Sequence, residues 1–202
     1  RPRLASALGL AVVAAVLQLA PATANPAGTG LVISEVFGGG GNSGAPYKSD
    51  FIELYNPTGS AIPVAGLTVQ YRSASGSSGG APVALTGSVP SHGHYLIKAA
   101  DGANTAAPAL PTPDATTTFS MSAGAGQVLL INGASFTGTG NVAGNTNLVD
   151  MVGYGTGNNT FEGATMGANL SNTTSANRTA AGADTDNNNA DFSSAAPTPE
   201  NT

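Results

Sequence analysis

Two glutamates are the residues of this chain most able to do chemistry. Glu35 and Glu53 each lie within a short run of apolar and aromatic residues, and such runs are typical of β-strands. Because side chains alternate along a strand, Glu35 is expected to share a face with Ile33 and Phe37. If the two strands pair, the carboxylates lie close together and repel each other unless a proton, a cation or a hydrogen-bond donor intervenes.

This carboxylate pair allows two interpretations. The functional one is a cation site, or an acid/base pair in a hydrolase. The structural one is that each carboxylate accepts backbone N–H groups from the glycine-rich loop at 38–44, or contacts Lys48. We favour the structural interpretation, because an active pair usually occupies a cleft beside aromatic residues or a nucleophile. Glu53 lies between Ile52 and Leu54 and is expected to be partly buried.

A second candidate is a calcium loop near the end of the chain. Asp184, Asp186 and Asn188 have the D-x-D-x-N spacing of calcium-binding loops, and Asp191 could add a fourth ligand. The turn glycine and the final bidentate glutamate of an EF-hand are missing. The alternative is a polar turn whose Asp and Asn side chains cap local backbone groups. Calcium is the one cofactor that the sequence suggests.

The two histidines form a His-x-His pattern at His92 and His94. On a strand, both rings would point to one face and could bind a metal. Gly93 indicates a turn, however, and no third ligand is evident nearby. We expect two exposed turn residues that lead into a strand. No Gly-x-Ser-x-Gly elbow lies between a predicted strand and a predicted helix, as it does in serine hydrolases, so we predict that the chain is not an enzyme.

Composition excludes several functional classes. The chain has no cysteine, which rules out disulfides, thiolate nucleophiles and sulfur-based zinc sites. It carries 6 basic and 11 acidic residues, a formal net charge of −5. The few cations are scattered, whereas a nucleic-acid surface needs clustered Lys and Arg. We therefore predict that this domain alone does not bind nucleic acid.

The first segment has the pattern of a secretory signal peptide over residues 1–24. Arg1 and Arg3 precede an apolar run at 4–20, and Pro-Ala-Thr-Ala follows at 21–24. The run is shorter than the roughly 20 residues that span a bilayer, so we prefer cleavage to a membrane anchor. Cleavage removes two of the 6 basic residues and none of the 11 acidic ones, which shifts the formal charge from −5 to −7. We expect a secreted protein, outside the cell or on its surface, with no membrane contact after cleavage.

The remaining sequence predicts an all-β domain. Short apolar runs alternate with Gly, Pro, Ser, Thr and Asn, and no sustained helical period follows residue 24. This pattern favours an antiparallel β-sandwich. We divide the chain into a linker at 25–30, a sandwich domain at 31–194 and a Pro-rich tail at 195–202, and we expect a monomer with loosely ordered surface at 158–183. The predicted strands are residues 31–37, 50–56, 67–73, 83–86, 95–98, 127–132 and 148–154, with a weaker one at 117–121.

Several of these strands resemble those of the lamin tail domain family. Residues 31–37 (LVISEVF) and 50–56 (DFIELYN) are similar to its "I-x-E" and "D-x-x-E-L-x-N" strands, and 64–69 to the short loop and Gly that follow. Residues 92–97 resemble its later "G-x-x-L-I" strand. Residues 149–155 (VDMVGYG) resemble a strand near the end of the domain.

The closing segment is similar to lamin tail domains of secreted bacterial proteins. The matching pieces are 178–179, 184–188, 190–192 and 197–199. The resemblance implies an immunoglobulin-like antiparallel β-sandwich used for recognition or attachment, with an unidentified extracellular ligand such as a protein, a glycan or a polymer. In that subgroup the domain often lies beside an extracellular nuclease or phosphatase-type domain, so the alternative function is an accessory domain of such an enzyme. A third hypothesis is a hydrolase that uses the Glu35–Glu53 pair.

Overall fold

The structure, a computed structural model, describes residues 29–167 and 170–202. The signal peptide predicted over 1–24 and most of the linker at 25–30 lie outside these residues. No helix in the described part of the chain has the length and apolarity needed to span a membrane. The elements in chain order are β1 (Val32–Phe37), β2 (Ser49–Tyr55), β3 (Ile62–Pro63), β4 (Leu67–Arg72), β5 (Val83–Ala84), β6 (Ser88–Val89), β7 (His94–Asp101), β8 (Ala115–Thr116), β9 (Gly126–Asn132), β10 (Leu148–Tyr154), β11 (Ser175–Arg178), α1 (Asn188–Asp191) and β12 (Phe192–Ala195).

The strands form two main sheets and a small ribbon. The large sheet has the order β12-β11-β1-β2-β7-β8, the small sheet has the order β10-β9-β4-β5, and β3 pairs with β6. All these pairs are antiparallel except β7 with β8. The expected all-β class with almost no helix is confirmed.

One hydrophobic core lies between the inner faces of the two sheets. Ile52 and Leu54 of β2 and Val128 and Leu130 of β9 are fully buried in it. Residues at alternating positions of the same strands face outward, and they too are buried because loops cover both outer faces. The central strands are therefore nearly continuous apolar runs, as expected for strands with both faces covered.

The strongly apolar strands were predicted well, and the weakly apolar ones were not. Strands β1, β2, β4, β7, β9 and β10 lie within a few residues of their predicted positions. The weak strand predicted at 117–121 is instead the two-residue β8. The prediction of loosely ordered surface at 158–183 is wrong where β11 joins the large sheet, and its neighbour β12 extends the sheet to Ala195.

A bulge in β1 changes the predicted faces. The register runs from Ile33 opposite Leu54 to Glu35 opposite Glu53, so that Ser34 is an extra residue in β1. A bulge of this kind reverses the alternation of side chains beyond it. Ile33 thus lies in the core, whereas Glu35 shares the outer face with Phe37. The expectation that Ile33 and Glu35 share a face is therefore wrong.

Candidate functional site

The bulge places two carboxylates side by side on the outer face of the large sheet. Glu35 of β1 and Glu53 of β2 are directly opposite in the antiparallel register, and they are only 2% and 3% exposed. The structure thus brings the sequence-predicted pair together. Because β1 and β2 are the two central strands of the six-stranded sheet, both backbones are fixed by hydrogen bonds on each side.

Each carboxylate is surrounded by donors. Glu35 Oε1 accepts hydrogen bonds from the Ser175 hydroxyl (2.6 Å) and the Thr198 backbone N–H (3.0 Å). Glu53 Oε1 accepts one from the hydroxyl of the bulge residue Ser34 (2.5 Å), and Glu53 Oε2 accepts one from the Glu200 backbone N–H (2.6 Å). These bonds compensate part of the cost of burying the two groups.

His94 completes the polar cluster. Its Nδ1 lies 2.8 Å from Glu53 Oε1 and its Nε2 lies 3.3 Å from Glu200 Oε2, and its ring packs against Tyr55 at a centroid distance of 4.9 Å. The hydrogen bond to Glu53 raises the pKa of His94. Only His92 fits the expectation of an exposed turn residue: it has a positive φ of 53° just before β7, whereas His94 is half-buried and paired.

The end of the chain forms one wall of this site. Besides the bonds from Thr198 and Glu200, the Thr202 hydroxyl accepts a hydrogen bond from the His94 backbone N–H and donates one to the His94 carbonyl. The Asn201 side chain donates to the Thr112 carbonyl. The segment that the sequence predicts to be a Pro-rich tail is therefore bound along the outer face of the large sheet.

These groups enclose a cavity of about 390 Å³, which we call the carboxylate pocket. It is lined by Glu35, Glu53, His94 and Arg178, with Thr198 and Glu200 from the tail. Burial, partly offset by the Ser175 hydrogen bond, raises the pKa of Glu35 to about 7. The pocket combines anionic acceptors with an imidazole, so its chemistry suits ligands that present N–H groups or positive charge.

The glycine-rich loop is held by a different carboxylate from the predicted one. Asp50 Oδ1 accepts a hydrogen bond from the Gly40 N–H (2.8 Å), and Asp50 Oδ2 accepts one from the Met121 N–H (2.8 Å). Gly40 lies so close to the backbone of Ser49 that a Cβ would come within 2.0 Å of it. We expected the backbone N–H groups of the loop at 38–44, or Lys48, to be the donors for Glu53. The loop instead donates to Asp50, and the donors for Glu53 come from other segments.

The four calcium candidates do not form a common loop site. Asp191 accepts hydrogen bonds from the backbone N–H (2.9 Å) and the hydroxyl (2.7 Å) of Thr185, as a capping residue does. Asn188 turns towards β10, where it accepts from the Gly153 N–H and donates to the Met151 carbonyl. Asp184 is buried, and Asp186 occupies the left-handed region with a φ of 56°. Asp191 therefore fits the alternative interpretation, a polar turn in which Asp and Asn side chains cap local backbone groups.

Sequence reasoning missed the donors of the carboxylate pocket. Ser34, Ser175, Thr198 and Glu200 lie in three separate segments, and none has a motif. One signal was present in the tail: prolines at 197 and 199 alternate with Thr198 and Glu200. Because proline has no N–H, the intervening residues carry the only backbone donors at 197–200, and both are used by the pocket.

Other residues of the family-like motifs have structural roles. The side-chain amide of the fully buried Asn56 donates to the carbonyls of Ser60, Val89 and Pro90, which ties the turn after β2 to the strand β6 region. Asp150 accepts from the Ile33 N–H and so joins β10 to β1. Buried polar groups with several partners fix the relative position of elements that apolar contacts alone leave free to slide.

The two packed, mainly antiparallel sheets and the near absence of helix in the described residues define an immunoglobulin-like β-sandwich, which carries the polar pocket on one outer face. The lamin tail domain model matches residues 24–156, and this chain belongs to that family. The family consists of immunoglobulin-like binding domains that are generally non-catalytic. The match ends before β11, α1 and β12. A comparison with the curated proteins found no match.

Proposed function

We propose that this chain is a secreted, non-catalytic recognition and attachment module whose carboxylate pocket binds an extended polypeptide segment. The observation that carries the proposal is the mode in which the pocket holds residues 198–200. Glu35 accepts the backbone N–H of Thr198, and Glu53 accepts that of Glu200. A pair of fixed carboxylates therefore binds two backbone donors that are two residues apart.

The spacing of these donors matches an extended chain. In an extended segment, residues i and i+2 present their backbone groups in the same direction, about 6–7 Å apart. The cross-strand glutamates provide two acceptors at neighbouring positions of the sheet. Peptide recognition through main-chain hydrogen bonds gives affinity, and the pockets for side chains give specificity. The tail is in this sense a ligand bound by its own domain.

Proline on either side of a donor favours this mode of binding. Pro197 and Pro199 restrict the backbone to extended conformations, which lowers the entropy lost on binding. Because proline has no N–H, no unpaired backbone donor lies between the two N–H groups that the glutamates accept. We therefore propose that the preferred ligand is an extended, proline-containing segment similar in sequence to residues 195–202.

The test is a binding measurement in which the tail of the protein cannot compete. A full-length T198P/E200P variant lacks both tail donors, and a labelled peptide of sequence AAPTPENT is titrated into it by fluorescence anisotropy. We expect saturable binding to this variant and weaker binding to the wild type, whose tail competes. A control peptide, AAPPPPNT, also lacks both donors and should not bind. Equal binding of the two peptides, or no binding to a variant whose circular dichroism is unchanged, would overturn the proposal.

The hydrolase hypothesis requires a concave site that contains both glutamates, and the carboxylate pocket is such a site. The hypothesis can therefore be tested on this pocket. The tail donors occupy the oxygens that an attacking water or a sugar oxygen would have to contact, which favours binding over catalysis. We expect no turnover of ester, phosphodiester or glycan substrates by the wild type or by T198P/E200P. Turnover that is lost in E35Q and in E53Q, with the fold retained, would support the hydrolase instead.

Secretion is tested separately from binding. The basic, apolar and small-residue regions at 1–24 support export and cleavage. Expressed with a start codon in a secreting bacterial host, the chain should appear in the medium or on the cell surface with an N-terminus at Asn25. Retention of residues 1–24 in the membrane fraction would contradict this part of the proposal.

A further inference from the structure

A second group of carboxylates lies beside β10, away from the tail. Asp150 belongs to β10, Glu162 follows that strand, and Asp184 precedes α1. One oxygen atom from each of the three lies within 4.8 Å of the others. Asp150 is fully buried and Asp184 is 5% exposed. We call this group the acidic triad. In the part of the chain that the structure describes, it is the one His/Cys/Asp/Glu group with this spacing.

The triad contains an oxygen without a partner. Asp150 accepts hydrogen bonds on both oxygens, from the N–H groups of Ile33 and Met151. Glu162 Oε2 accepts one from the Asn188 amide (3.1 Å). Asp184 Oδ2 is buried and has no hydrogen-bond partner, although the Asp184 side chain is entirely inaccessible to solvent. An unpaired buried carboxylate oxygen is costly, and it requires an explanation.

The charge of the triad is also unbalanced. Arg178 Nη2 lies 2.7 Å from Asp150 Oδ2, whereas its Nη1 lies 3.8 Å from Asp184 Oδ1. Arg178 Nη1 also lies 3.9 Å from Asp191 Oδ2, so one guanidinium faces the carboxylates of Asp150, Asp184 and Asp191 and does not neutralise the triad. The side chains around the triad therefore leave it with an excess of negative charge.

We propose that the acidic triad binds one divalent cation, and that the cation is calcium. Carboxylate oxygens are the ligands that calcium prefers, and at Ca–O distances of roughly 2.3–2.6 Å two ligands on opposite sides of the ion are up to about 5 Å apart. Asp184 Oδ2 provides one ligand, and the carboxylates of Glu162 and Asp150 provide the others. A divalent cation would offset negative charge that Arg178, which is shared with Asp191, leaves on the triad.

This site differs from the calcium loop that the sequence suggests. It shares only Asp184 with the D-x-D-x-N pattern, because Asn188 bonds to β10 and Asp191 caps Thr185. Its other ligands come from 150 and 162, which join α1 and the segment before it to the small sheet. None of its three carboxylates lines the carboxylate pocket, although Arg178 contacts both groups. Calcium binding by the triad can therefore be tested separately from the proposed function.

The experiment compares calcium responses of full-length variants. The chelator-treated wild type should bind one calcium per chain in isothermal titration calorimetry, and its Tm should rise by roughly 5–10 °C at a 100-fold excess over Kd. E162Q removes a ligand charge at the most exposed of the three positions and should lose both signals while keeping its circular dichroism. D186N removes a charge of the predicted loop that is not a triad ligand and keeps a residue that tolerates the left-handed conformation. It should therefore still bind one calcium per chain, with a smaller loss of affinity than E162Q.

Three results would overturn the proposal. The first is a wild type with neither binding heat nor a Tm rise, which would mean that protons alone neutralise the triad. The second is an unchanged calcium response in E162Q. The third is a response that D186N abolishes and E162Q retains, which would move the site to the loop at 184–188.

Discussion

The carboxylate pocket and the acidic triad both contain buried carboxylates, but the cost of burying them is compensated differently in the two regions. In the pocket, Glu35 and Glu53 each receive hydrogen bonds from hydroxyl groups and from the extended tail. In the triad, Asp184 retains a buried oxygen without a donor. The difference follows from the backbone: an extended, Pro-interrupted segment supplies N–H groups to both glutamates, whereas the backbone around the triad donates to both oxygens of Asp150 but only to Oδ1 of Asp184. The comparison indicates that the number of donors, more than burial, distinguishes the proposed polypeptide-binding site from the proposed cation site.

Arg178 connects the two regions, and its removal should have the largest effect. Its guanidinium donates to Asp150 and to the carbonyls of Ile33 and Ala183, and it lies 4.5 Å from the Phe192 ring centroid. Loss of one member of a buried ion pair typically costs about 3–5 kcal/mol. We expect R178M to lower the free energy of unfolding by about that amount in urea denaturation.

The matched control is K98M. Lys98 pairs with Asp101 at 2.7 Å, but both side chains are partly exposed, and such pairs contribute roughly 0–1 kcal/mol. If R178M and K98M unfold at similar urea concentrations, the guanidinium does not hold the two regions together.

The second prediction concerns pH and Glu35. Its pKa is raised in the folded state to about 7 from the usual 4.5, so between these values the folded protein binds more protons than the unfolded one. The contribution of Glu35 to stability is therefore fully present below about pH 4.5 and is lost as the pH rises through about 7. The charged or titratable groups that line the pocket with Glu35 are Glu53, Tyr55, His92, His94, Arg178 and Glu200.

E35Q should remove this dependence. We expect the difference in unfolding free energy between the wild type and E35Q to change by about 2–3 kcal/mol across that pH interval, in favour of the variant at the higher pH. Urea denaturation at pH 4.5, 6 and 8 measures it. Parallel pH profiles for the two proteins would mean that Glu35 titrates normally.

The third prediction concerns Glu53, whose removal leaves three groups without their acceptor. E53A takes away the partner of the Ser34 hydroxyl, the His94 ring and the Glu200 N–H. The expected loss is roughly 1–3 kcal/mol, as for orphaned buried groups. E53Q should lose less, because its amide oxygen can still accept. Thermal unfolding of both variants decides the point, and an E53A melting curve that coincides with that of the wild type would contradict it.

The smallest expected effect comes from removing a single backbone N–H donor of the tail. T198P removes the N–H that Glu35 accepts, whereas T198A keeps it. Loss of one such hydrogen bond should lower the unfolding free energy by about 1 kcal/mol in T198P and by less in T198A, as judged by urea midpoints. If T198A is destabilised as much as T198P, the threonine side chain rather than the backbone donor holds the tail.

Much of the sandwich could be predicted from local sequence. The runs that became β2, β9 and β10 are apolar enough that burial and β-propensity agree, and turn residues bound them. The same reasoning found Glu35 and Glu53 and predicted that Glu53 is partly buried, whereas it is 3% exposed. It failed for β11, with the sequence SANR, and for β12, with FSSA, because these segments are strands only through pairing at the edge formed by β1.

The sequence by itself determined the all-β class, the absence of thiol chemistry and the nearness of two glutamates on paired strands. These follow from composition and from the two-residue period of a strand, which are local properties. Only the tertiary structure decided the face on which Glu35 lies, the contact of the tail with the pocket and the meeting of Asp150, Glu162 and Asp184. The first depends on a one-residue bulge at Ser34, and the others join segments far apart in the chain. Such contacts depend on the packing and pairing of whole elements, which no local pattern of residues encodes.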